Sequence, residues 1–402
     1  MFRERFDASL ENIRMSPIVS ISEEVRRRSR EFEKSGRSMI RFQRGEIDFS
    51  TPQFIISAAK EGLDRGLTKY PKSGGEDFLK QSILRKLERE QGVNDLSPDN
   101  IVVTYGGQEG LELSFKLFSN GAGFSPTWSC ALENFVPYAG LDFTEIPLKD
   151  DFSVDYERLE ANVRGKDFFY LNNPQNPTGK VFDKGELKTI VDICTRNGCY
   201  IISDEAYEKF VYDGLEHRST IQYCQENIIA IFTMSKSFSM TGWRIGYVVT
   251  RNKRIAQLLR LGNYTQTAGV TTFLQYAAAK ALDDQANADR AIGEMKAEFA
   301  KRRDALYSGL ERLPGIRLSK PEGAFYMFPN FTEVIPPHVR GKQREKYIYE
   351  LLMQQGIATV YGSCFGRHFV DNVRLSFSAT PVDQIEEAIG RFEQIFSKRS
   401  AA

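Results

Sequence analysis

The sequence has few of the residues that build metal centres and disulfide frameworks. Its 402 residues include three widely separated histidines, His217, His338 and His368, and five cysteines that form no CxxC pair. Such scattered ligands predict no metal site, and an odd number of dispersed cysteines predicts no disulfide framework. The same cysteine usage favours a reducing compartment, so we expect a cytoplasmic location.

The sequence also lacks an excess of charge of either sign and has no long apolar run. Lysine and arginine total 54 against 53 aspartates and glutamates, which leaves a formal net charge of +1. Such a chain has no global field that attracts nucleic acid or an anionic membrane. The longest apolar runs, such as 228–232, fall far short of the ~18 residues of a membrane helix, and the N-terminus resembles no secretory signal. We therefore expect no nucleic-acid partner and no membrane partner.

Short apolar strands alternate with amphipathic helices in the middle of the chain. The strand-like segments are 101–105, 168–171, 200–203 and 228–232. This alternation predicts a mostly parallel α/β sheet.

The C-terminal third predicts a smaller α+β unit. A helical pattern extends from about 284 to 313 and ends before Pro314. Strands are predicted at 323–328 and 373–377, and a last helix begins at Thr380-Pro381. The long helix would connect this unit to the central sheet.

Polar segments follow each predicted central strand, where ligands of parallel α/β proteins bind. In chain order they are Gly106-Gly107-Gln108, Asn172–Gly179, Asp204–Tyr207 and Thr233–Arg244. Each also has an ordinary structural interpretation: a turn, a proline-rich loop, a helix N-cap for Asp204, or a solvated loop. Their convergence at one sheet edge favours a single cleft.

Two of these segments suggest specific chemistry. Glycines at a helix N-terminus let backbone N–H groups approach an anion, and the helix dipole adds about half a positive charge. Lys236 lies among hydroxyl side chains, eight residues before Arg244. It is either a solvated lysine or one of lowered pKa that reacts with carbonyl groups.

These segments resemble the class I/II aminotransferases, which are fold-type I pyridoxal-phosphate enzymes. The similar strings occur in family order over nearly the whole chain: Ser16-Pro17, Gly45–Phe49, Lys69-Tyr70, Gly106–Glu109, Asn173–Gly179, Asp204–Tyr207, Ser235-Lys236, Met240–Tyr247, Pro321–Tyr326 and Arg374–Ser376. Segment 263–279 is especially similar to the aspartate and aromatic aminotransferases of archaea and bacteria.

The resemblance implies a fold and a reaction. A large domain with a mostly parallel sheet covered by helices would comprise residues 46–284, and a small α+β domain would comprise 1–45 and 285–402. The reaction would be transfer of an amino group from an L-amino acid to a 2-oxo acid in amino-acid metabolism. It would use pyridoxal 5'-phosphate in a ping-pong aldimine/ketimine mechanism, in a homodimer with shared active sites.

The resemblance also implies roles for individual residues. Lys236 would form the aldimine and then move the proton between the substrate and the cofactor. Asp204 would keep the pyridine nitrogen protonated. Tyr207 and Asn176 would hydrogen-bond the phenolate oxygen, and Trp128 would stack on the ring.

Two anion contacts are implied as well. The phosphate ligands would be Gly106, Gly107, Gln108, Thr233, Ser235 and Arg244, with Tyr70 reaching in from the neighbouring subunit. Arg374 would bind the substrate α-carboxylate, helped by the Gly45 backbone and Asn176.

The sequence departs from the family pattern in two places. Between Phe118 and Trp128 it is shorter and lacks the usual Gly-Asp-Glu-Val strand. Ala131 stands where some relatives carry a histidine that supports the aspartate, so Asp204 needs another partner or a water molecule.

Two other functions remain as alternatives. The same cofactor and fold support elimination, replacement, cyclisation or oxidation, and the unusual 119–128 segment keeps that alternative open. A cofactor-binding transcriptional regulator would need a DNA-binding domain before Gly45, where no helix-turn-helix pattern occurs. The sequence therefore favours an aminotransferase.

Overall fold

The computed structural model describes residue 13 and residues 15–396. The strands are β1 (Ile40–Arg41), β2 (Ile101–Thr104), β3 (Asn120–Ser125), β4 (Asp142–Pro147), β5 (Phe168–Asn172), β6 (Tyr200–Asp204), β7 (Ile228–Thr233), β8 (Gly246–Thr250), β9 (Tyr326–Met327), β10 (Ile357–Ala358), β11 (Val360–Tyr361) and β12 (Val373–Ser376). The helices are α1 (Pro17–Lys34), α2 (Gln53–Asp64), α3 (Asp77–Gln91), α4 (Gly106–Phe115), α5 (Val136–Tyr138), α6 (Tyr156–Val163), α7 (Lys184–Arg196), α8 (Met234–Ser237), α9 (Lys253–Thr267), α10 (Thr272–Asp283), α11 (Gln285–Glu311), α12 (Gly341–Gln354) and α13 (Val382–Phe396).

A seven-stranded sheet in the order β2-β8-β7-β6-β5-β3-β4 forms the centre of the fold. All its strands are parallel except β8, which pairs antiparallel with β2 and β7. The predicted mostly parallel α/β sheet is therefore confirmed. Because Thr233 pairs with Gly246, the connection between β7 and β8 lies at the carboxyl edge of the sheet. Lys236 and Arg244 are part of this connection.

The expectation that a strand is missing before Trp128 is wrong. β3 pairs in parallel with both β4 and β5. Its glycines are needed because neighbouring rings fill the space above them. A Cβ atom on Gly121 would lie 2.4 Å from the Phe168 ring, and one on Gly123 would lie 2.8 Å from the Phe143 ring. The strand lacks β-branched residues because aromatic side chains of the flanking strands pack there instead.

The C-terminal part contains a three-stranded antiparallel sheet, β11-β12-β9, and β10 pairs in parallel with β1. The predicted long helix is α11, which is N-capped by Asp284 and buries Phe299 and Leu306. Of the strand expected at 323–328, only β9 forms, because Gly323 makes an isolated bridge to Val211 instead. The domain boundaries at 45/46 and 284/285 stay a prediction.

Membrane-spanning helices and metal-binding groups are both absent from the described residues. Across residues 15–396, no helix combines the length and the apolar character that crossing a membrane requires. Within the same described part of the chain, no three His, Cys, Asp or Glu side chains are grouped so that they could hold a metal ion.

Candidate active site

The carboxyl edge of the central sheet borders a cavity of about 260 Å³. It is lined by Ile18, Gly45, Gly107, Gln108, Leu111, Trp128, Asn176, Asp204, Ala206, Tyr207, Thr233, Ser235, Lys236, Thr241, Arg244, Tyr326 and Arg374. Of the residues predicted for the site, all but Gly106 and Tyr70 line this cavity. The four polar segments that follow the predicted strands therefore meet at one cavity, as expected.

Lys236 lies in the single helical turn α8, directly after β7. The Thr233 side chain caps this turn by accepting from the Ser235 N–H at 3.2 Å. The Lys236 ammonium donates to the Gly45 carbonyl oxygen at 2.7 Å. Burial lowers the pKa of Lys236 to about 8, and the nearby guanidinium of Arg374 acts in the same direction. A substantial fraction of this amine is therefore neutral, and nucleophilic, at mildly alkaline pH.

Asp204 ends β6 and is almost fully buried. Its Oδ2 atom accepts from the Tyr170 hydroxyl at 3.1 Å, and its Oδ1 atom accepts from the Ala206 N–H at 3.2 Å. Burial raises the pKa of Asp204 to about 6 against the effect of these hydrogen bonds. Tyr170 therefore supplies the hydrogen bond to Asp204 that Ala131 cannot make.

Sequence reasoning missed Tyr170, although the signal was present. Tyr170 lies two residues before Asn172, which pairs with Asp204 in adjacent parallel strands. Side chains two residues apart in a strand point to the same face, so a phenol at this position lies diagonally opposite the carboxylate.

A hydrogen-bonded chain of side chains connects residues from distant parts of the sequence at the cavity. The Arg374 Nη1 donates to Asn176 Oδ1 at 3.2 Å, and Asn176 Nδ2 donates to the Tyr207 hydroxyl at 3.3 Å. The Tyr207 hydroxyl in turn lies 2.9 Å from that of Tyr326. These contacts fix the orientation of three polar groups that line the cavity.

Arg374 is held rigidly and still has donor capacity. Its guanidinium lies 4.6 Å from the centre of the Tyr326 ring and 5.0 Å from that of Phe365. Nη2 donates to the Gln43 carbonyl oxygen at 2.8 Å. The Nε atom is buried and has no hydrogen-bond partner among the described residues. A buried cationic donor of this kind needs an acceptor, which a bound carboxylate can supply.

The same cavity contains an anion cradle. Gly106 opens α4 with φ +73°, and a Cβ atom there would lie 3.2 Å from Arg244 Nη2. Arg244 has a φ of 55°, an unusual left-handed backbone for a residue with a side chain. The helix N-terminus, the guanidinium and the hydroxyls of Thr233 and Ser235 together suit a phosphate group.

Trp128 and Tyr70 differ in their placement. Trp128 lines the cavity, and its ring packs 5.6 Å from that of Phe135. Tyr70 lies between α2 and α3, is 91% exposed and does not line the cavity. Its role concerns a neighbouring subunit and stays a prediction.

A buried ion pair behind the Asp204–Tyr207 turn was also missed. Lys86 of α3 is 1% exposed and donates to Glu208 at 2.5 Å and to the Tyr247 hydroxyl at 3.2 Å. Burial opposes the charge on Lys86, but the Glu208 carboxylate raises its pKa overall. The pair anchors the turn to α3, because a buried charge left without its partner is strongly destabilising. Lys86 and Glu208 are 122 positions apart in the sequence, so no local pattern could indicate that they form a pair.

Comparisons with known proteins find similar sequences over most of the chain. Residues 37–392 match the sequence model of the family described as aminotransferase class I and II. The chain is 34% identical to the aspartate aminotransferase of Pyrococcus horikoshii over 357 residues, which are 87% of this chain and 88% of that protein. It is 34% identical to the aspartate aminotransferase of Bacillus subtilis over 382 residues, which are 93% and 95% of the two chains.

Solved structures are similar over almost the whole length. The aspartate aminotransferase of Thermus thermophilus with maleate has a TM-score of 0.88 at 28% identity, covering 98% of this chain and 100% of that one. The aromatic aminotransferase of Pyrococcus horikoshii has a TM-score of 0.83 at 32% identity, covering 90% and 97%.

Proposed function

Because this chain belongs to the class I and II aminotransferases, we propose that its cavity binds pyridoxal 5'-phosphate and that Lys236 is the residue that holds the cofactor covalently. The family uses this cofactor to transfer an amino group from an amino acid to a 2-oxo acid, and this enzyme is an aminotransferase. The observation that carries the proposal is one cavity that contains a lysine of lowered pKa, a buried carboxylate and an anion cradle.

The residues fit the cofactor's three kinds of polar group. Its phosphate suits the N-terminus of α4 together with Thr233, Ser235, Arg244 and Gln108. Its pyridine nitrogen, when protonated, suits Asp204, and its phenolate oxygen suits the donors Tyr207 and Asn176. Gly106 and Gly107 let the backbone approach closely, and Trp128 offers an aromatic face.

When bound, the cofactor withdraws electrons from the α carbon of the substrate. Lys236 holds or releases a proton at Nζ, and its lowered pKa suits it to do both near neutral pH. Asp204 would stabilise positive charge at the ring nitrogen of a bound cofactor. Arg374 and Asn176 orient the substrate carboxylate, and the Gly45 carbonyl oxygen positions the lysine amine.

The other reactions of this cofactor lose their main support. Their support is the unusual sequence of segment 119–128, and that segment contains β3 of the central sheet. Amino-group transfer also agrees with the names of the relatives. We therefore expect transfer of the amino group to a 2-oxo acid and no release of ammonia.

A half-reaction tests the proposed function. The cofactor-loaded enzyme is mixed with an amino acid in the absence of any 2-oxo acid, and its absorbance is followed. We expect conversion to the pyridoxamine form with one equivalent of 2-oxo acid per site, and a second 2-oxo acid should reverse the change. Ammonia release or oxygen consumption, with the pyridoxal form regenerated, would contradict amino transfer.

Tyr70 supports a homodimer with shared sites. The loop that carries it packs on α9, since a Cβ atom on Gly74 would lie 3.0 Å from the Arg260 side chain. Leu261 and Tyr264 of α9 are 55% and 61% exposed. We propose that a second copy covers this face and that Tyr70 then reaches the phosphate site of its partner.

Mixed dimers test this sharing. Lys236→Ala and Tyr70→Phe each disable a different part of the site, so a mixed dimer would contain one intact site and one doubly altered site. After verified subunit exchange at equal concentrations, we expect recovery to about a quarter of wild-type activity. Each variant alone gives the baseline. Activity that stays at this baseline would show that Tyr70 acts within its own subunit or not at all.

The proposed location is the cytoplasm. All five cysteines are free thiols in the structure, and Cys194, Cys199 and Cys364 are buried. Unpaired thiols are typical of proteins in reducing compartments.

A further inference from the structure

The backbone carbonyl that contacts Lys236 belongs to an irregular part of the chain. Residues 42–48 follow β1 and form neither helix nor strand, yet Gly45 lines the cavity and accepts from the Lys236 ammonium at 2.7 Å. A Cβ atom on Gly45 would overlap the Tyr326 hydroxyl, so this backbone lies directly against the cavity wall. Such a segment keeps one carbonyl in place only if contacts outside the cavity hold it.

We propose that Arg302 of α11 is a positioning residue: it holds segment 45–48 so that the Gly45 carbonyl oxygen stays in contact with the Lys236 amine. The importance of this contact for the reaction rests on the proposed function, in which Lys236 holds the cofactor. The positioning itself concerns only residues of this chain.

Arg302 binds the far end of segment 45–48 directly. Its Nη1 and Nη2 atoms donate to the two carboxylate oxygens of Asp48 at 3.1 and 2.9 Å. The Nε atom donates to Glu298, one helical turn earlier in α11, at 2.9 Å. Arg302 is buried, whereas the Asp48 side chain is 33% exposed. A guanidinium that binds both oxygens of a carboxylate fixes its orientation as well as its distance.

A second connection passes through Ser378, which is fully buried just after β12. Arg302 Nη1 also donates to the Ser378 carbonyl oxygen at 2.9 Å. The Ser378 hydroxyl in turn donates to the Glu46 carbonyl oxygen at 2.6 Å. Because Glu46 directly follows Gly45, this connection restrains the carbonyl that faces Lys236. One guanidinium therefore holds the segment at two points.

The pKa of Lys236 reports where this segment lies. Burial lowers that pKa to about 8. The Gly45 carbonyl oxygen favours the ammonium form, because a carbonyl oxygen can only accept a hydrogen bond. Loosening segment 45–48 would weaken this hydrogen bond and move the Glu46 carboxylate, so the pKa should fall further. The charged groups with the largest effects on the amine are Arg374 and Arg244, which lower its pKa, and Glu46 and Asp204, which raise it.

Chemical labelling of Lys236 at a series of pH values tests the positioning in the full chain without cofactor. Acetic anhydride reacts with the neutral amine, and mass spectrometry of the Lys236 peptide gives the pH at which half of the amine is reactive. We expect this midpoint at about pH 8 in the wild type. It should be lower by about half a pH unit in Arg302→Met, since Arg374 still holds Gln43 and the segment keeps part of its contacts.

Arg303→Met is the matched control. Arg303 is the next residue of α11 and is also buried. Its guanidinium likewise donates to both carboxylate oxygens of an aspartate, Asp213, at 2.9 and 2.8 Å, and to a backbone carbonyl oxygen, that of Pro321, at 3.1 Å. Neither partner belongs to segment 45–48. This variant should lose similar contacts and keep the midpoint within about 0.2 pH units of wild type.

The sign of the change separates positioning from a direct effect of charge. As a nearby cation alone, Arg302 would lower the pKa of Lys236, so its removal would raise the midpoint. A midpoint that rises or stays unchanged in Arg302→Met, or that falls equally in Arg303→Met, would overturn the proposal. Any group that a second subunit adds to the cavity is the same in all these variants and does not affect the comparison.

Ser378→Ala provides a second variant that changes no charge. It removes the hydrogen bond to Glu46, so the midpoint should fall, by less than in Arg302→Met. If Arg302→Met does not fold, as circular dichroism would show, an unchanged midpoint in Ser378→Ala overturns the proposal in its place. Failure of the cofactor to attach to Lys236 would instead overturn the proposed function and leave these midpoints valid.

Discussion

Replacing Lys236 with alanine should lower the rate of the half-reaction by about four powers of ten, the upper end of what positioned proton transfer contributes. The change removes the proposed attachment point and the group that moves a proton at the substrate's α carbon. Asn176, Asp204 and the anion cradle would remain, so the variant should still bind the cofactor without a covalent bond. Stopped-flow absorbance with a reactive amino acid measures the rate.

Two controls separate chemistry from folding in this experiment. Methylamine fits the space that the missing side chain leaves, so adding it should restore part of the rate. Lys180→Ala removes a lysine that pairs with Glu186 outside the cavity, and it should keep near-wild-type activity. A Lys236→Ala variant with more than a tenth of wild-type activity would exclude the proposed role.

Asp204→Asn should slow the half-reaction by two to three powers of ten. A carboxylate in contact with a positive ring nitrogen is worth on the order of 4 kcal/mol at an effective dielectric constant near 20. Each 1.4 kcal/mol lost from the transition state slows the step about tenfold. The asparagine keeps the shape: its oxygen can accept from the Ala206 N–H, and its NH2 group can donate to the Tyr170 hydroxyl oxygen. Most of the loss should therefore appear in kcat.

The same substitution should stabilise the cofactor-free protein at alkaline pH. The pKa of Asp204 is about 6 in the folded chain against 3.8 for an ordinary aspartate, so the folded state favours the protonated form. Between pH 3.8 and 6 the unfolded chain loses this proton and the folded chain keeps it, so up to about 3 kcal/mol of folding free energy is lost over that range, and the loss persists above pH 6. Asp204→Asn should recover it at pH 8, and the gain should disappear as pH falls below 4. Urea denaturation at several pH values measures the effect.

Glu205→Gln is the matched control for both effects. Glu205 is buried beside Asp204, and burial raises its pKa to about 7. Its carboxylate accepts from the Ser203 and Thr220 hydroxyls, both at 3.0 Å, and does not line the cavity. This variant should also gain stability at pH 8 but keep activity within tenfold. Equal losses of activity in the two variants would contradict the distinct role of Asp204.

The sequence alone was enough to locate most of the cavity, because its residues follow predicted strands. A parallel sheet brings the carboxyl ends of its strands to one edge, so Asp204 and Lys236 could be placed together without knowledge of their contacts. The long helix α11 was predicted to within two residues at each end, since its apolar residues recur at helical spacing and Pro314 follows it.

Contacts that depend on tertiary packing could not be predicted. β3 contains two glycines, and only the rings of Phe168 and Phe143 explain why a strand forms there. The Tyr170 contact with Asp204 required the register between β5 and β6. Local sequence patterns do not show which side chains from distant positions pack against a given strand.

Borohydride reduction of the cofactor-loaded enzyme, followed by peptide mapping, tests the central claim most directly. Reduction makes the bond between a lysine and the cofactor permanent, so the labelled residue can be identified by its mass. We expect one pyridoxyl group per chain, attached to Lys236. A label on any other lysine, or no label at full cofactor occupancy, would contradict it.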